Sequence, residues 1–301
     1  MKEHLNLLDI DLEVTRDKIK QFIKGYTIGL NRSGVLLGLS GGVDSSLVLK
    51  LCCEAVGKDS TIAVILPERD SDSKNIKDAV RWARELGVKY IYKKLTPALW
   101  LIGIYRLFPP AFLVPKILIS RYIAREKEAI SKRVGEDIFI STLKGTTDSQ
   151  LNKAFAYYKV KHRLRGTILF YYADLYNYLC VGCLNKSEWL TGFFVKYGDS
   201  VADIMPIISL YKTQVVKLAE YVGLPDYILM KKPSPDLIPG IFDEDVLGMS
   251  YQKLDLILHG IERNLSVEEI SKITNASAKE IDRIKEIVEK SEYQRSNFAI
   301  Y

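Results

Sequence analysis

Cysteine and histidine are scarce in this chain, with four cysteines and three histidines among 301 residues. Disulfide-stapled secreted domains are short and far richer in cysteine, so that class is excluded. The opening residues, Met-Lys-Glu-His-Leu-Asn, form no apolar signal segment, and internal repeats and low-complexity tracts are missing. Hydrophobic residues make up 48% of the chain, which is enough for one large core. We therefore expect a cytoplasmic protein with a single domain over residues 1–301.

The cysteines that are present predict packing rather than metal or redox chemistry. Cys180 and Cys183 form a Cys-x-x-Cys pair, but residues 178–182 read as a strand, in which residues three apart point to opposite faces. Cys52 and Cys53 fall on a predicted helix, where cysteine commonly packs as a small apolar residue. We expect no shared ligand for either pair.

Positive charge is in slight excess, with a net charge of +6 and an isoelectric point near 8.9. This bias suits a polyanionic nucleotide, but it is too weak to predict nucleic-acid binding unless the charges cluster. The one dense basic cluster runs from Lys159 to Arg165. Within it, we expect a solvated or phosphate-facing role for His162 rather than a catalytic one.

The most informative stretch runs from Leu37 to Ser46, where an apolar strand enters a loop of small residues. It has neither the lysine of a GxxxxGK[ST] loop nor the GxGxxG spacing of dinucleotide folds. Small side chains let backbone N–H groups close around phosphate oxygens, and the positive end of the following helix faces the same anion. Because Asp44 alone would repel a polyphosphate, its presence predicts a bridging Mg²⁺.

Strands and helices alternate along the first third of the chain. The spacing of apolar residues predicts helices over residues 11–25, 45–53 and 74–86, and strands over residues 35–37, 61–66 and 88–92. This order predicts an α/β fold, a Rossmann-like parallel sheet with helices on both faces. Ligands of such sheets bind at the carboxyl ends of the strands, where the small-residue loop lies.

The alternation breaks over residues 97–147, a segment that is first apolar and then charged. Arg106 and the prolines Pro109, Pro110 and Pro115 argue against a membrane-spanning helix in its apolar part. We expect an apolar arm that covers a partner subunit or lids the site, with membrane-surface contact by residues 99–119 as the alternative.

A second group of polar residues follows beyond this segment. A predicted strand over residues 178–182 delivers Asn185 and Glu188 to the carboxyl edge of the sheet, where Glu188 meets the ion held by Asp44. Lys196 and Lys212 come further along. Two carboxylates for Mg²⁺ and two lysines for phosphate charge suit an attack on the α-phosphate of a nucleotide.

These motifs together resemble one family. The Ser40–Ser46 loop resembles the PP-loop of the ATP pyrophosphatases. The further segments around Arg163, Gly182–Glu188, Phe194–Pro206, Lys212–Val215 and Lys232–Leu237 follow the order and spacing of the ammonia-dependent NAD synthetases within that superfamily. The resemblance covers nearly everything except residues 97–147. It implies an adenine nucleotide alpha-hydrolase-like fold.

The resemblance also implies a role for individual residues. Mg²⁺ is assigned to Asp44 and Glu188, and the catalytic residues are Asp44, Lys196 and Lys212. The implied ATP-binding residues are Gly38, Leu39, Ser40, Gly41, Gly42, Val43, Asp44, Ser45, Ser46, Cys183, Lys212 and Ser234. The implied substrate-binding residues are Arg163, Lys196, Asp203, Tyr293 and Gln294.

In this family the nicotinate carboxylate of deamido-NAD attacks the α-phosphate of ATP, and ammonia then displaces AMP to give NAD. Adenylation supplies a good leaving group while a closed site keeps water from competing with ammonia. The resemblance implies ATP as co-substrate with Mg²⁺, and a homodimer. Because the chain contains no amidohydrolase domain, ammonia comes from solution or from a separate glutaminase subunit.

Four positions differ from the usual family pattern. Cys183 and Ser234 stand where threonine is usual, and Tyr293-Gln294 replaces a His-Lys pair. Three rivals follow: a PP-loop ligase for another acid, a tRNA sulfur-transfer enzyme that uses Cys183, and a non-catalytic nucleotide-binding paralogue. Residues 266–290 resemble a DNA-reading helix-turn-helix, but the second helix is mixed in charge, so we expect no DNA binding.

Overall fold

A computed structural model of the chain describes residues 2–107, 137–232 and 243–296. Its centre is a sheet of four parallel strands in the order β3-β2-β1-β4. The strands are β1 (Gly34–Gly38), β2 (Thr61–Ile65), β3 (Lys89–Tyr92) and β4 (Tyr178–Cys180).

Helices surround this sheet and continue beyond it. In chain order they are α1 (Leu12–Gly29), α2 (Val43–Val56), α3 (Ser73–Glu85), α4 (Thr96–Leu101), α5 (Ile138–Lys144), α6 (Ser149–Tyr176), α7 (Lys186–Thr191), α8 (Lys212–Tyr221), α9 (Asp226–Leu229), α10 (Asp243–Leu247), α11 (Tyr251–Glu262), α12 (Val267–Thr274), α13 (Ala278–Lys290) and α14 (Glu292–Arg295). Short 3₁₀ helices cover Lys2–Leu8, Lys58–Ser60 and Ile104–Arg106.

The two faces of the sheet pack against different helices, because successive side chains of a strand point to opposite faces. On β1, Val35 and Leu37 face a core shared with α1, α2, α3, α8 and α9. Leu36 faces the other way, into a core shared with α4 and α6. The predicted α/β fold with a parallel sheet and helices on both faces is therefore confirmed.

A third core, built by the C-terminal helices, lies apart from the sheet. It unites buried side chains from α5, α11, α12 and α13 with Leu8 and Tyr211. The two predicted helices of residues 266–290 are α12 and α13, and each begins with a serine capping box. Their isoleucines Ile270, Ile281, Ile284 and Ile287 are buried in this core, so the apolar face of each helix serves packing.

Only the ends of the 97–147 segment can be described. Residues 108–136, which hold Pro109, Pro110, Pro115 and the charged stretch, lie outside the described residues. At its start, Trp100 and Leu101 are 68% and 75% exposed. Across the described ranges, no helix is long and apolar enough to cross a membrane.

An ionic cluster, consisting of Glu68, Arg69, Asp70, Tyr157 and Lys161, joins the loop after β2 to α6. The fully buried Lys161 Nζ lies 3.0 Å from Glu68 Oε1 and 2.8 Å from Asp70 Oδ2. Burial opposes ionisation of Asp70, but hydrogen bonds from Arg69, Lys161 and Tyr157 lower its pKa to about 2. The cluster therefore fixes the start of the β2–α3 loop against α6.

Removing the Lys161 charge should destabilise the fold strongly. Lys161→Met removes the lysine that pairs with the buried Glu68 carboxylate and leaves Asp70 paired with Arg69. Breaking comparable buried pairs costs about 3–5 kcal/mol. Lys217→Met removes an exposed ion pair with Asp9 and should cost less than about 1 kcal/mol. Urea unfolding followed by circular dichroism measures both, and equal losses for the two variants would contradict this account.

Candidate active site

The loop between β1 and α2 has a backbone that only glycine allows at Gly41. This residue has φ +82°, and a Cβ built on it would lie 2.4 Å from the backbone oxygen of Asn75 on α3. The Ser40 and Ser45 hydroxyl oxygens lie 3.0 Å apart, and the Gly42 N–H donates to Ser40 Oγ at 3.2 Å. The loop is thus a compact turn backed directly by α3.

The first turn of α2 is open to an anion. Gly42 occupies its N-cap position, and no side chain caps the helix. The unpaired N–H groups and the positive end of the helix dipole therefore face the cavity beside the loop. Asp44 is the acidic residue of this turn.

Asp44 is held by two side chains that come from distant parts of the chain. Asn185 Nδ2 donates to Asp44 Oδ1 at 3.0 Å, and Lys212 Nζ forms a close ion pair with Asp44 Oδ2. Asn185 also caps α7 and shares a capping box with Glu188, whose Oε2 accepts the Asn185 N–H at 3.1 Å. Lys212 opens α8 and is 3% exposed. The carboxyl edge of the sheet thus gathers Asp44, Glu188 and Lys212.

Negative charge exceeds positive charge at this edge. Burial raises the pKa of Glu188 well above its usual value, and the charge of Asp44 adds to the rise. Burial also raises the pKa of a third carboxyl, Asp243, to about 6. Asp243 Oδ2 accepts from the Tyr251 hydroxyl at 3.0 Å, whereas the buried Oδ1 has no partner. Asp44 and Glu188 influence each other beside the Lys212 ammonium, and a further cation would favour their ionised forms.

A cavity of about 320 Å³ unites the loop with these charged groups. Among the residues predicted from the sequence, it is lined by Gly38, Leu39, Ser40, Gly42, Val43, Asp44, Ser45, Cys183, Glu188 and Lys212. Gly41 and Ser46 belong to the same loop and helix but do not line the cavity, and Ser234 lies outside the described residues. The structure therefore brings together most of the predicted ATP and metal residues.

The predicted substrate residues form a separate group. Arg163 Nε donates to the Lys196 carbonyl at 3.3 Å, and Lys196 Nζ donates to the Tyr293 carbonyl at 2.7 Å. The Lys196 ammonium also lies 4.0 Å from the centre of the Tyr293 ring. Gln294 is the next residue along the chain. Arg163, Lys196 and Tyr293 thus meet, but none of them lines the cavity.

Asp203 stands apart from that group. Its Oδ2 accepts the backbone N–H of Cys180 at 2.7 Å, at the end of β4. This contact ties the segment before Pro206 to the edge strand of the sheet. The structure places Asp203 beside the strand and not beside Arg163 or Lys196.

Sequence reasoning missed several residues of the cavity wall. Tyr158, Arg165, Lys231 and Asp243 line it, and none was assigned to the site. Arg165 Nε donates to the Leu66 carbonyl at 3.3 Å, so α6 braces the loop after β2 from within the cavity. The basic run from Lys159 to Arg165 was visible in the sequence, but its periodicity along one helix was not used. No local signal marked Lys231 or Asp243.

His162 lines the cavity, which is compatible with the phosphate-facing role expected from the sequence. Burial lowers its pKa well below the usual value, and Arg165 and Lys161 add to this shift. Its Nδ1 lies 3.6 Å from Asp199 Oδ2. The imidazole is therefore neutral near pH 7, which leaves phosphate attraction to the lysines and arginines.

The cysteines pack as small apolar residues. Cys180 belongs to the core on the α6 face of the sheet, whereas Cys183 packs against the core on the opposite face. Burial raises the pKa of the Cys183 thiol well above its usual value. Within the part of the chain that the structure describes, no three histidine, cysteine or acidic side chains converge on a metal site. A protonated Cys183 is a poor nucleophile for sulfur transfer.

Comparison with known proteins identifies the family. The sequence profile of the family described as NAD synthase matches residues 15–103 and 129–297. The NH3-dependent NAD+ synthetase of Thermotoga maritima is 44% identical over 285 residues, which cover 95% of this chain and 98% of the relative. The enzyme of the same name from Methanocaldococcus jannaschii is 35% identical, with 95% of both chains covered. The chain belongs to the NAD synthase family.

Solved structures agree with this assignment. The NMN synthetase of Francisella tularensis superposes with a TM-score of 0.70 at 26% identity, covering 97% of this chain and 99% of that one. The NH3-dependent NAD synthetase of Campylobacter jejuni superposes with a TM-score of 0.66 at 26% identity, covering 97% and 100%. The predicted NAD synthetase resemblance and the ATP-using ligase class are confirmed.

The pKa of Asp243 leads to a prediction about the ligand-free protein. Its folded-state pKa of about 6 exceeds the usual 3.8, so the folded state binds this proton more tightly than the unfolded state. The ionised carboxylate therefore lowers stability as pH rises from about 4 to above 6. Relative to the wild type, Asp243→Asn should gain up to about 3 kcal/mol between pH 4 and pH 8.

Urea unfolding at a series of pH values measures this difference, with the exposed Asp59→Asn as the matched control. The control should shift stability by less than about 0.5 kcal/mol at every pH. The free energy of unfolding of Asp243→Asn could also differ from that of the wild type by the same amount at every pH. That result would disprove the claim that a buried charge on Asp243 destabilises the fold at high pH.

Proposed function

We propose that this chain is an ammonia-dependent NAD synthetase. In the first step the nicotinate carboxylate of deamido-NAD attacks the α-phosphate of ATP, and pyrophosphate leaves. In the second step ammonia attacks the acyl-adenylate, and AMP leaves with its bonding electrons. The observation that carries the proposal is the single cavity that joins the small-residue loop to Asp44, Glu188 and Lys212.

The residues of the cavity suit the first step. The N–H groups at the start of α2 are aimed at an anion and require no rearrangement to receive pyrophosphate oxygens. Burial opposes the charge on Lys212, but Asp44 and Glu188 raise its pKa above the usual value, so it stays protonated. A permanent ammonium here stabilises the charge that builds on phosphoryl oxygens during the attack.

Mg²⁺ fits the acidic side of the cavity. The uncompensated Glu188 and the unpartnered Asp243 Oδ1 supply the hard oxygen donors that this ion prefers. Asp44 and Glu188 would hold it, and Mg²⁺ usually takes one or two carboxylates together with phosphate oxygens and water rather than a full protein cage. When bound, the ion neutralises phosphate charge and polarises the bond to the leaving pyrophosphate.

We assign the acid substrate to Arg163, Lys196, Asp203, Tyr293 and Gln294. Support comes from the contact of Lys196 with Tyr293, which puts a buried ammonium beside an aromatic ring that is 69% exposed. A cation beside an exposed ring suits a flat, anionic pyridine carboxylate. Asp203, whose Oδ2 accepts the Cys180 N–H at the end of β4, is included because the family resemblance implies it.

Two further assignments accompany the reaction. A homodimer would cover the exposed side chains of Tyr171 and Leu175 on α6, which are 56% and 57% exposed. A cytoplasmic location stays a prediction from the sequence. Sedimentation of the purified chain at micromolar concentration tests the first assignment.

The NMN synthetase likeness supports a second candidate, a ligase of the same chemistry that forms NMN. The two candidates share the ATP cavity and differ only in whether the acid carries an adenylate half. Assays with deamido-NAD and with nicotinate mononucleotide separate them by the ratio of kcat/KM. A higher ratio for the mononucleotide would establish the second candidate.

The direct test supplies Mg²⁺, ATP, ammonium and deamido-NAD, and measures NAD, AMP and pyrophosphate. Equal amounts of the three products are expected. Asp44→Asn and Glu188→Gln should each lower kcat/KM by about 100-fold or more, because each removes a carboxylate that would hold Mg²⁺. Asp9→Asn, which changes an exposed carboxylate far from the cavity, is the matched control and should keep full activity.

Two results would contradict the proposal. Release of ADP in place of AMP would show attack at the γ-phosphate. Production of AMP that does not depend on either acid would show that the cavity serves a different reaction.

A further inference from the structure

Lys231, a largely buried lysine, contacts the loop between β1 and α2, which we call the phosphate loop. We call this contact the clasp. Lys231 follows α9, and its Nζ donates to the Gly41 carbonyl at 2.9 Å and to Asn75 Oδ1 at 3.1 Å. The same nitrogen lies 2.6 Å from Asp78 Oδ2. Asn75 and Asp78 both belong to α3, so Lys231 joins three elements at one point of the loop.

The ammonium of Lys231 is directed mainly at protein oxygens. Two of its three N–H donors bind the Gly41 carbonyl and Asn75 Oδ1, and Asp78 Oδ2 forms an ion pair with the same nitrogen at 2.6 Å. Both partners of the ion pair are largely buried, with side-chain exposures of 15% for Lys231 and 13% for Asp78. Lys231 lines the cavity, yet its charge is directed at protein oxygens.

The contact with the Gly41 carbonyl sets the direction of the neighbouring N–H. In a planar trans peptide the carbonyl of Gly41 and the N–H of Gly42 point in opposite directions. Holding the carbonyl toward Lys231 therefore keeps the Gly42 N–H on the opposite side of the peptide, where it donates to Ser40 Oγ. A flip of this peptide would turn a carbonyl oxygen toward the site of the phosphates, where it would repel them.

The phosphate loop packs directly against α3, so the clasp is the contact that must break for the loop to move. Gly41 already touches the backbone of α3, with room for no Cβ, so the loop cannot move closer to α3. It can move away only if the Gly41 carbonyl loses Lys231. The clasp thus limits movement of the phosphate loop away from α3.

We propose that Lys231 is a positioning residue that holds the phosphate loop in its anion-binding conformation through the Gly41 carbonyl. The proposal rests on the proposed function only in taking a nucleotide polyphosphate as the ligand of the loop. It requires neither deamido-NAD nor ammonia.

The test measures binding of Mg²⁺-ATP and of Mg²⁺-pyrophosphate by calorimetry, without any acid substrate. Lys231→Met should weaken both ligands by roughly 10- to 100-fold, because the carbonyl is no longer held. Lys231→Arg keeps a cation that reaches the carbonyl and should recover at least half of that loss on a logarithmic scale. Lys217→Met, an exposed lysine on α8, is the matched control and should bind as the wild type does.

Salt dependence separates positioning from direct contact. A lysine that bound phosphate itself would make the loss larger at 20 mM than at 500 mM salt, because screening weakens such a pair. A positioning lysine predicts the same fold loss at both salt concentrations. A loss confined to low salt would therefore overturn the proposal.

Two further outcomes overturn it. Unchanged affinity in Lys231→Met, measured on protein that is folded by circular dichroism, would show that the clasp serves stability only. If the wild-type protein bound neither Mg²⁺-ATP nor Mg²⁺-pyrophosphate, the loop would not be a phosphate-binding loop. Both this proposal and the proposed function would then be wrong. If the wild-type protein bound both ligands normally but formed no NAD, the proposed role of Lys231 would stand. Only the assignment of deamido-NAD as the acid substrate would be contradicted.

Discussion

The charge of Asp44 is the constraint on which the rest of the site depends. A carboxylate at the mouth of an anion-binding loop repels the ligand unless cations balance it. In this structure Lys212 pairs with Asp44, and the neutral Asn185 amide donates a hydrogen bond to it. Burial and the charge of Asp44 raise the pKa values of Glu188 and Asp243, and a further cation would favour their ionised forms. The carboxyls of the cavity therefore favour a divalent ion, and that ion in turn allows a polyphosphate to bind beside Asp44.

The parallel sheet is what brings these groups together. Asp44 is separated from Asn185 by 141 positions and from Lys212 by 168 positions. The carboxyl ends of β1 and β4 lie side by side because the two strands pair in parallel, from Gly34 opposite Tyr178 to Leu36 opposite Cys180. Residues that follow each strand consequently meet at one edge.

A supporting frame keeps this edge rigid. Lys161 ties the loop after β2 to α6, and Arg165 braces the same loop from within the cavity. Lys231 plays the corresponding part for the loop after β1. Both lysines are buried and neutralised by carboxylates, so their energetic role lies in fixing loops rather than in holding ligand.

Much of this could be predicted from the sequence where the signal is local. The strands around Leu36 and Ile62, the helices that follow them and the small-residue loop were all placed within a few residues, because hydrophobic period and glycine spacing are local properties. Helix α6 runs for 28 residues and could not be predicted over its full length. Its mixed surface, which carries the buried Lys161, shows no clear apolar stripe.

The parts that sequence could not predict depend on distant contacts. Lys231 meets the Gly41 carbonyl across 190 positions, and no local pattern encodes that approach. Asp243 is one of three consecutive acidic residues, Asp243, Glu244 and Asp245, and burial distinguishes it from the other two. The third core depends on packing between α5 and the C-terminal helices, which a reading of single segments does not reveal.

A crystal structure with Mn²⁺ and a non-hydrolysable ATP analogue tests the central claim most directly, because Mn²⁺ is located by its anomalous scattering. The account predicts an anomalous peak between the carboxylates of Asp44 and Glu188, with the β- and γ-phosphates on the loop of residues 38–46. A metal peak away from Asp44, or a triphosphate bound outside this cavity, would contradict it.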